Sequence, residues 1–389
     1  MTDEKTRDIY TQVEDHLKCT EQNWLMGAGI SYDANLPLMY PLTNKVLVCI
    51  KNGNIGLYNK IIEPIINELP KKSHIEHILS HLGDYAALAE RNLSKSVKIN
   101  GNLIERIELE NIHRDILQCI SNTIRSGYIE DEHGNLKQEG TPDNPIVSID
   151  THLDFIDSLF NHSQSGIHER RKPVNIFTTN YDTLLEDSLA LKKIPYWDGF
   201  SGGAVAYRTL NYGDNLPSNG VRANIIKVHG SIDWYLCENG YVWRVRENDG
   251  YPTKNRRVLI YPQATKYIAT QQDPFSTQFD IFRRSLNSPN SNVLSVCGYS
   301  FGDEHINNEI EVAMSKKDNK TVLLAFVECR DEIPTCLEKW RNSHFGERII
   351  IITINGVYIA SDGPYSRTAN DYIWTFKGVT KILKNGCEV

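Results

Sequence analysis

Val174-Asn175-Ile176-Phe177-Thr178-Thr179-Asn180-Tyr181-Asp182-Thr183-Leu184-Leu185-Glu186 is the stretch whose reading decides the fold. It opens as a short, β-branched and aromatic run, the composition of a strand buried on both faces. It then passes through Thr-Thr-Asn-Tyr-Asp into a helical pattern beginning at Thr183. A strand that turns straight into a helix is the repeating unit of a parallel sheet. Asn180 and Asp182 then project at the sheet's carboxyl edge. Thr, Asn and Asp are all good helix caps, so capping accounts for one such residue. Four of them crowd together here, which points to a ligand as well.

Outward from this stretch, similar apolar runs occur at Trp24-Leu25-Met26, Asn224 to Val228, Val258 to Tyr261, Val293 to Cys297, Thr321 to Val327 and Ile349 to Ile354. Polar stretches with helical pattern separate them. The expectation is an α/β fold, a Rossmann-like parallel sheet with helices on both faces. Between the first two strands, Ile75, Ile78, Leu79, Leu82, Ala86 and Ala89 recur at helical spacing, and Ile104, Ile107, Ile112, Ile116 and Ile120 do so more loosely. This predicts a mostly helical inserted subdomain over 50–145, with a polar loop at Gly127 to Asn144. A second, irregular insert is expected from Tyr196 to Val221.

The chain has 389 residues, enough for two or three units by a prior of roughly 150 residues each. With 40% hydrophobic and 23% charged residues it is not a disordered chain. The net charge of −7 argues against a wholly basic nucleic-acid surface, so nucleic acid is not directly indicated. No apolar leader follows Met1 and no run of 18 apolar residues occurs, so a soluble, cytoplasmic protein with no membrane contact is expected. Eight scattered cysteines include no C-x-x-C pair, which predicts free thiols and no zinc ribbon.

Four further segments could carry chemistry. Gly27-Ala28-Gly29-Ile30-Ser31 follows a strand and opens a predicted helix; it reads either as a tight turn or as a loop that lets a pyrophosphate approach the backbone. Tyr32 stands where a third glycine of the dinucleotide fingerprint would be. His229-Gly230 closes the strand Asn224 to Val228 and suits a general acid/base or a ribose contact. Gly298-Tyr299-Ser300-Phe301-Gly302 matches the nucleophile elbow of α/β-hydrolases, a rival reading that would need partners such as Asp331 and His344. His74, His77 and His81 share helical spacing, but without the glutamate of a metalloprotease motif a solvated helix face is expected, and no metal ligands are assigned. The short basic clusters Arg170-Arg171-Lys172 and Arg256-Arg257 are read as surface charge.

Taken together and in order, these segments resemble the sirtuin family. Gly27 to Ser31, continuing to Asn35-Leu36-Pro37, resembles its first nucleotide loop. Thr179-Asn180-Tyr181-Asp182 resembles its Gln-Asn-x-Asp motif, His229-Gly230 its catalytic His-Gly, Gly298-Tyr299-Ser300 its Gly-x-Ser, and Ile354-Asn355 its late strand-end Asn. Leu38-Met39-Tyr40 replaces the family's Asp-Phe-Arg, and no cysteine quartet supplies its zinc ribbon. A kept NAD pocket, a lost ribbon and a helical insert resemble the sirtuin-like NAD hydrolases of bacterial anti-phage defence.

The resemblance implies an NAD-binding catalytic domain over 20–48 and 146–360, the helical insertion at 50–145, and a C-terminal extension at 361–389 that could serve assembly. It implies NAD as substrate, cleaved to nicotinamide and ADP-ribose, with no zinc. Asn180 and His229 would be catalytic and Asp182 would support them. Gly27, Ala28, Gly29, Ser31 and Thr179 would hold the phosphates and ribose, and Gly298, Ser300 and Asn355 the adenosine half. It further implies a homo-oligomer that works with a HerA-type ATPase in abortive infection, since no fused sensor domain is recognisable in the sequence. A protein deacylase and a non-catalytic NAD or ADP-ribose sensor are the alternatives.

Overall fold

Most of the apolar runs assemble, among the described residues, into one nine-stranded sheet. The computed structural model describes all residues except 1, 132, 164–171, 210–215, 237–240, 247–255, 260–273, 288–289, 330–331, 367–371 and 388–389. In chain order, helix Thr2–Leu17 leads into β1 (Gln22–Met26). A helical block follows, with helices Met39–Gly53, Ile75–Arg91 and Arg106–Ser126, the hairpin β2 (Ser96–Ile99) and β3 (Asn102–Glu105), and the hairpin β4 (Tyr128–Glu130) and β5 (Leu136–Glu139). Helix Asp150–Asp157 returns the chain to β6 (Val174–Thr178), helix Leu184–Leu191 and β7 (Tyr196–Trp197).

Next come β8 (Phe200–Gly202), β9 (Val205–Arg208), β10 (Ala223–Lys227), β11 (Gly230–Leu236), β12 (Val242–Val245) and β13 (Arg256–Leu259). Helix Phe275–Leu286, β14 (Val293–Cys297), helix Glu304–Met314, β15 (Val322–Phe326) and helix Thr335–Arg341 precede β16 (Ile349–Thr353). The chain ends with β17 (Gly356–Ile359), β18 (Asp362–Tyr365) and helix Phe376–Asn385.

The sheet order is β18-β17-β16-β15-β14-β1-β6-β10-β7, and the strands from β16 to β7 run parallel. β1 pairs with β6 on one side and β14 on the other, so the topological switch lies at β1, where α/β sheets bind ligands beyond the strand ends. Side chains alternate between two covered faces, which is why the strands are apolar throughout. Trp24, Met26, Ile176, Ile225, Leu324 and Ile350 pack on one face, and Leu25, Phe177, Ile226, Leu323, Ala325 and Ile351 on the other. One polar rung crosses this interior: Asn175 Nδ2 donates to Asn23 Oδ1 (2.9 Å) and Asn224 Nδ2 to Asn175 Oδ1 (3.0 Å). The rung fixes the register of three central strands, because a slip of one residue would bury unpaired amides.

Several elements differ from expectation. The segment Gly127 to Asn144 is not merely a loop; it carries the hairpin β4–β5. Ile104 lies in β3 rather than in the helix that begins at Arg106, and Ile107 on that helix is exposed. The run Val258 to Tyr261 does not join the parallel sheet. Its described part, β13, pairs antiparallel with β11 in a second, five-stranded sheet of order β13-β11-β12-β9-β8; Ile260 and Tyr261 lie outside the described residues. This sheet also absorbs part of the supposed irregular insert as β8 and β9.

The block around helices Met39–Gly53 to Arg106–Ser126 has its own apolar core, which also takes in Leu184 and Ile232. Within it Cys49 and Cys119 form a disulfide, where free thiols were expected; Cys297 and Cys336 are free thiols. Residues 361–389, expected as an extension, add β18 to the sheet and bury Phe376, Val379, Ile382 and Leu383 in its core. Among the described residues, no helix is long and apolar enough to cross a membrane.

Candidate active site

The turn after β6 is locked to its neighbours by backbone bonds. Thr179 N donates to Met26 O at the end of β1 (3.0 Å), and Val228 N donates to Thr178 O (3.0 Å). Asn180 N donates to Thr178 Oγ1 (3.0 Å). Asp182 closes an Asx turn into the following helix, since its Oδ1 accepts from Leu184 N (3.0 Å). Its other oxygen does something that turn does not require: Oδ2 accepts from Ser31 Oγ (2.9 Å), and Ser31 Oγ accepts from Asn180 Nδ2 (3.1 Å).

This chain fixes the Asn180 amide by proton counting. A carboxylate only accepts, so the single Ser31 proton goes to Asp182, and the serine lone pair must take an Asn180 N–H. Asn180 Oδ1 is left buried with no hydrogen-bond partner among the described residues. Ser31, Asn180 and Asp182 are all buried. A buried amide oxygen held in one orientation and left unmatched is poised to accept from a bound molecule.

His229 occupies the turn between β10 and β11. Gly230 sits at φ 85°, a left-handed conformation that lets the chain leave one sheet and enter the other directly. His229 is 3% exposed. Ile232 N donates to Tyr181 O (3.0 Å), which ties this turn to the Asn180 loop. Beneath both lies Lys227, fully buried, whose Nζ donates to Asp182 O and pairs with Glu186 (3.3 Å). Burial pushes the Glu186 carboxyl up, while Lys227 and Arg246 pull it down. Arg246 also reaches Asp187 and Asp233.

The glycines are explained partly by one another. Gly27 N donates to Cys297 O (3.0 Å) and Gly29 N to Gly298 O (2.9 Å), so the turns after β1 and β14 lie backbone against backbone. A Cβ on Gly27 would come within 2.4 Å of Gly298 O, and one on Gly298 within 2.5 Å of Ile30 N. The expected helix after Gly29 is a 3-10 segment, Ala28–Ala34, ending at Asn35 in the left-handed region. Ala28 is exposed at the edge. Ser300 is exposed just past β14, and Asn355 is exposed in the β16–β17 turn, with β15 and β14 between its strand and β1.

Three residues at the site escaped sequence reading. His305, on helix Glu304–Met314, places its Nε2 3.2 Å from His229 Nε2, although β1 and β6 separate the two parent strands. Asp303, the residue before that helix, joins them in a group whose ligand atoms all lie within 4.8 Å. His152 is fully buried on helix Asp150–Asp157, with neither ring nitrogen hydrogen-bonded among the described residues. Burial drives its pKa down, against the opposing pull of Asp182 and Asp33. Only a distance map could have found the first pair, since the contact joins residues 76 apart.

The other candidates resolve differently. His77 Nδ1 accepts from His74 N (3.2 Å) and His81 pairs with Glu68 (2.7 Å), so these histidines cap and brace a helix. The hydrolase elbow is not built. Left-handed backbone falls on Gly298 and Phe301 rather than on Ser300. His344 precedes β16 and so lies at the edge opposite Ser300, hydrogen-bonded to Ser315 O (3.2 Å). Asp331 lies outside the described residues, as do Arg170 and Arg171.

Residues 174–345 match the family model described as SIR2-like domain. That span holds the Asn180, His229 and Gly298 turns and leaves out Gly27 to Ser31 and Asn355. No curated protein matches the chain. The mostly parallel sheet flanked by helices is consistent with a SIR2-like fold over the matched span, which is less than half of the chain, and SIR2-like domains are NAD-dependent enzymes.

Proposed function

We propose that the protein is an NAD glycohydrolase, cleaving the nicotinamide–ribose bond to nicotinamide and ADP-ribose. The observation that carries this reading is the Asp182–Ser31–Asn180 chain, which leaves Asn180 Oδ1 as an oriented, unmatched acceptor at the switch point. The reaction asks little bond-making chemistry of the protein. Nicotinamide is a cationic leaving group, so the C1′–N bond breaks with its electron pair going to nicotinamide while positive charge grows on the ribose. Asn180 Oδ1 accepts from the attacking water or a ribose hydroxyl and holds it in line. His229 takes the proton that the water loses as it bonds to C1′.

Asp182 acts on Asn180 through Ser31. In this reading the pyrophosphate passes over the exposed Ala28, with Thr179 beside it, and Gly298, Ser300 and Asn355 hold the adenosine half. A Cβ on Gly27, Gly29 or Gly298 would collide with the backbone of the facing turn. The test is NAD incubation with product chromatography for the wild type, Asn180→Ala and His229→Ala. Loss of a positioned catalytic group costs on the order of 10²-fold or more. Wild-type turnover in either folded variant removes the assignment.

An unregulated NAD hydrolase would kill its host, so the proposal extends to gating from outside this chain. The proposed setting is the cytoplasm, as a homo-oligomer with a HerA-type ATPase, depleting NAD in abortive infection. The helical block offers a physical route to the site, because Tyr181 Oη donates to Glu76 Oε1 on helix Ile75–Arg91 (2.8 Å). Light scattering with and without the co-expressed neighbouring gene product tests this. A monomer fully active at micromolar concentration and unchanged by any neighbour refutes it.

A further inference from the structure

We infer that His229, His305 and Asp303 form a zinc-type divalent-metal site that, when filled, switches the enzyme off. The inhibitory half of this inference rests on the reading of His229 as the base of NAD cleavage; the metal site itself does not.

The geometry is that of a chelate short of its ion. Two imidazole nitrogens bound to one tetrahedral zinc at about 2.0–2.1 Å stand roughly 3.3 Å apart. The two Nε2 atoms here are 3.2 Å apart. Their ring centroids are 5.3 Å apart with planes 26° from parallel, and the rings approach through a hydrogen-bond contact between their Nε2 atoms. Without an ion, the contact needs one ring protonated at Nε2 and the other bare. A cation replaces that shared proton and engages both lone pairs at once.

Asp303 supplies the third donor and the negative charge. All three ligand atoms already lie within 4.8 Å of one another, so a side-chain adjustment of at most about 1.5 Å completes a tetrahedral face. The site is supported from behind, since the Phe279 ring packs 5.2 Å from His305 and is itself 4% exposed. Three protein ligands leave the fourth position for water, and the partial exposure of Asp303 and His305 leaves a way in. Two imidazoles and a carboxylate favour zinc-type ions over magnesium or calcium, which prefer oxygen. The ion ties up His229 Nε2, the atom the proposed hydrolysis needs.

The test uses the full-length protein stripped with EDTA and titrated with Zn²⁺ by calorimetry, with Co²⁺ absorption reporting tetrahedral nitrogen ligation. The wild type takes up one tight equivalent that displaces Co²⁺. His305→Ala weakens this uptake by at least about 100-fold and Asp303→Asn weakens it less, with circular dichroism showing both folded. In parallel, NAD cleavage by the stripped wild type stops on adding Zn²⁺ and returns with EDTA, while the activity left in His305→Ala ignores zinc. Equal zinc uptake by wild type and His305→Ala, or an active enzyme untouched by bound zinc, overturns the inference and leaves the hydrolase reading standing. Tight His305-dependent uptake by a protein that cleaves no NAD even when stripped upholds the metal site and overturns the hydrolase reading.

Discussion

Replacing Lys227 by methionine removes the only side-chain cation within salt-bridge distance of the buried Glu186 among the described residues, and it takes a donor from the Asp182 carbonyl. Both side chains of the pair are almost wholly buried, so Glu186 cannot turn to solvent. Its cheapest escape is to take up a proton. Protonating a carboxyl of ordinary pKa near 4.3 at pH 7 costs about 3.7 kcal/mol, and at pH 5 only about 1 kcal/mol. The orphaned Asp182 carbonyl adds about 1 kcal/mol at either pH. The variant is therefore less stable than wild type by about 5 kcal/mol at pH 7 and about 2 kcal/mol at pH 5, in line with the cost of breaking a buried ion pair from one side.

The sign follows from linkage. A carboxyl whose folded pKa is raised costs stability once pH exceeds its unfolded value, and the cost grows as pH rises. At about 2.1 cal/mol/K of unfolding entropy per residue, the loss lowers Tm by roughly 6 °C at pH 7 and 2–3 °C at pH 5. Thermal unfolding followed by near-UV circular dichroism reads this. Adding Glu186→Gln to Lys227→Met restores most of the pH 7 loss and little at pH 5. An equal loss at both pH values, or no rescue by Glu186→Gln, shows that the pair does not support the Asn180 loop in this way.

Three further outcomes are expected. Ser31→Ala breaks the link between Asp182 and Asn180, so NAD turnover falls by roughly 10- to 100-fold while the protein stays folded, and Ser31→Thr recovers much of it; an unchanged kcat would separate Ser31 from the chemistry. Gly27→Ala forces a Cβ to within 2.4 Å of Gly298 O, so thermal stability drops by about 1–3 kcal/mol; a variant as stable as wild type would show the two turns free to move apart. His152 is held neutral by burial, so as pH falls below about 6.5 the unfolded chain binds a proton that the folded one refuses, and stability falls by up to about 1.4 kcal/mol per pH unit. His152→Leu flattens that acid limb, and an unchanged limb would clear His152 of the effect.

The parallel strands were legible because both faces of the sheet are covered, which forces Leu25, Ile176, Phe177, Ile226 and Leu324 to be apolar without alternation. The second sheet was not. β8, β9 and β12 are three or four residues long and carry Ser201, Gly202, Arg208 and Arg244, so no apolar run marks them. Helix Thr2–Leu17 hides Ile9, Tyr10, Val13 and Leu17 among charged neighbours, and only its packing on the sheet makes them core. Asn180, Asp182 and His229 could be singled out because polar residues that crowd a strand's end are conspicuous in sequence. Lys227 could not, since one charge inside an apolar strand carries no sign of the buried Glu186 that answers it. His305 looked like an ordinary first-turn helix residue, and its meeting with His229 is fixed by the tertiary path of the β14 turn.

The glycine-rich turns carry less functional weight than their pattern suggests, and the polar chain carries more. Gly27 and Gly298 would be required even without a ligand, because each lies where the other's backbone excludes a Cβ, and the amides of Gly27 and Gly29 are spent on Cys297 and Gly298. A glycine motif explained by packing cannot also be counted in full as a phosphate cradle. Asn180 has no such account. Its Nδ2 is engaged and its backbone N–H is engaged, yet its Oδ1 is buried with no partner among the described residues, at a desolvation cost of about 1–3 kcal/mol. A fold that needed only to turn from β6 into the helix would get that from the Asx turn at Asp182 and could place an apolar residue at 180. The cost at Asn180 Oδ1 is recovered when a bound hydroxyl or water donates to it, so the hydrolase reading stands or falls on that atom.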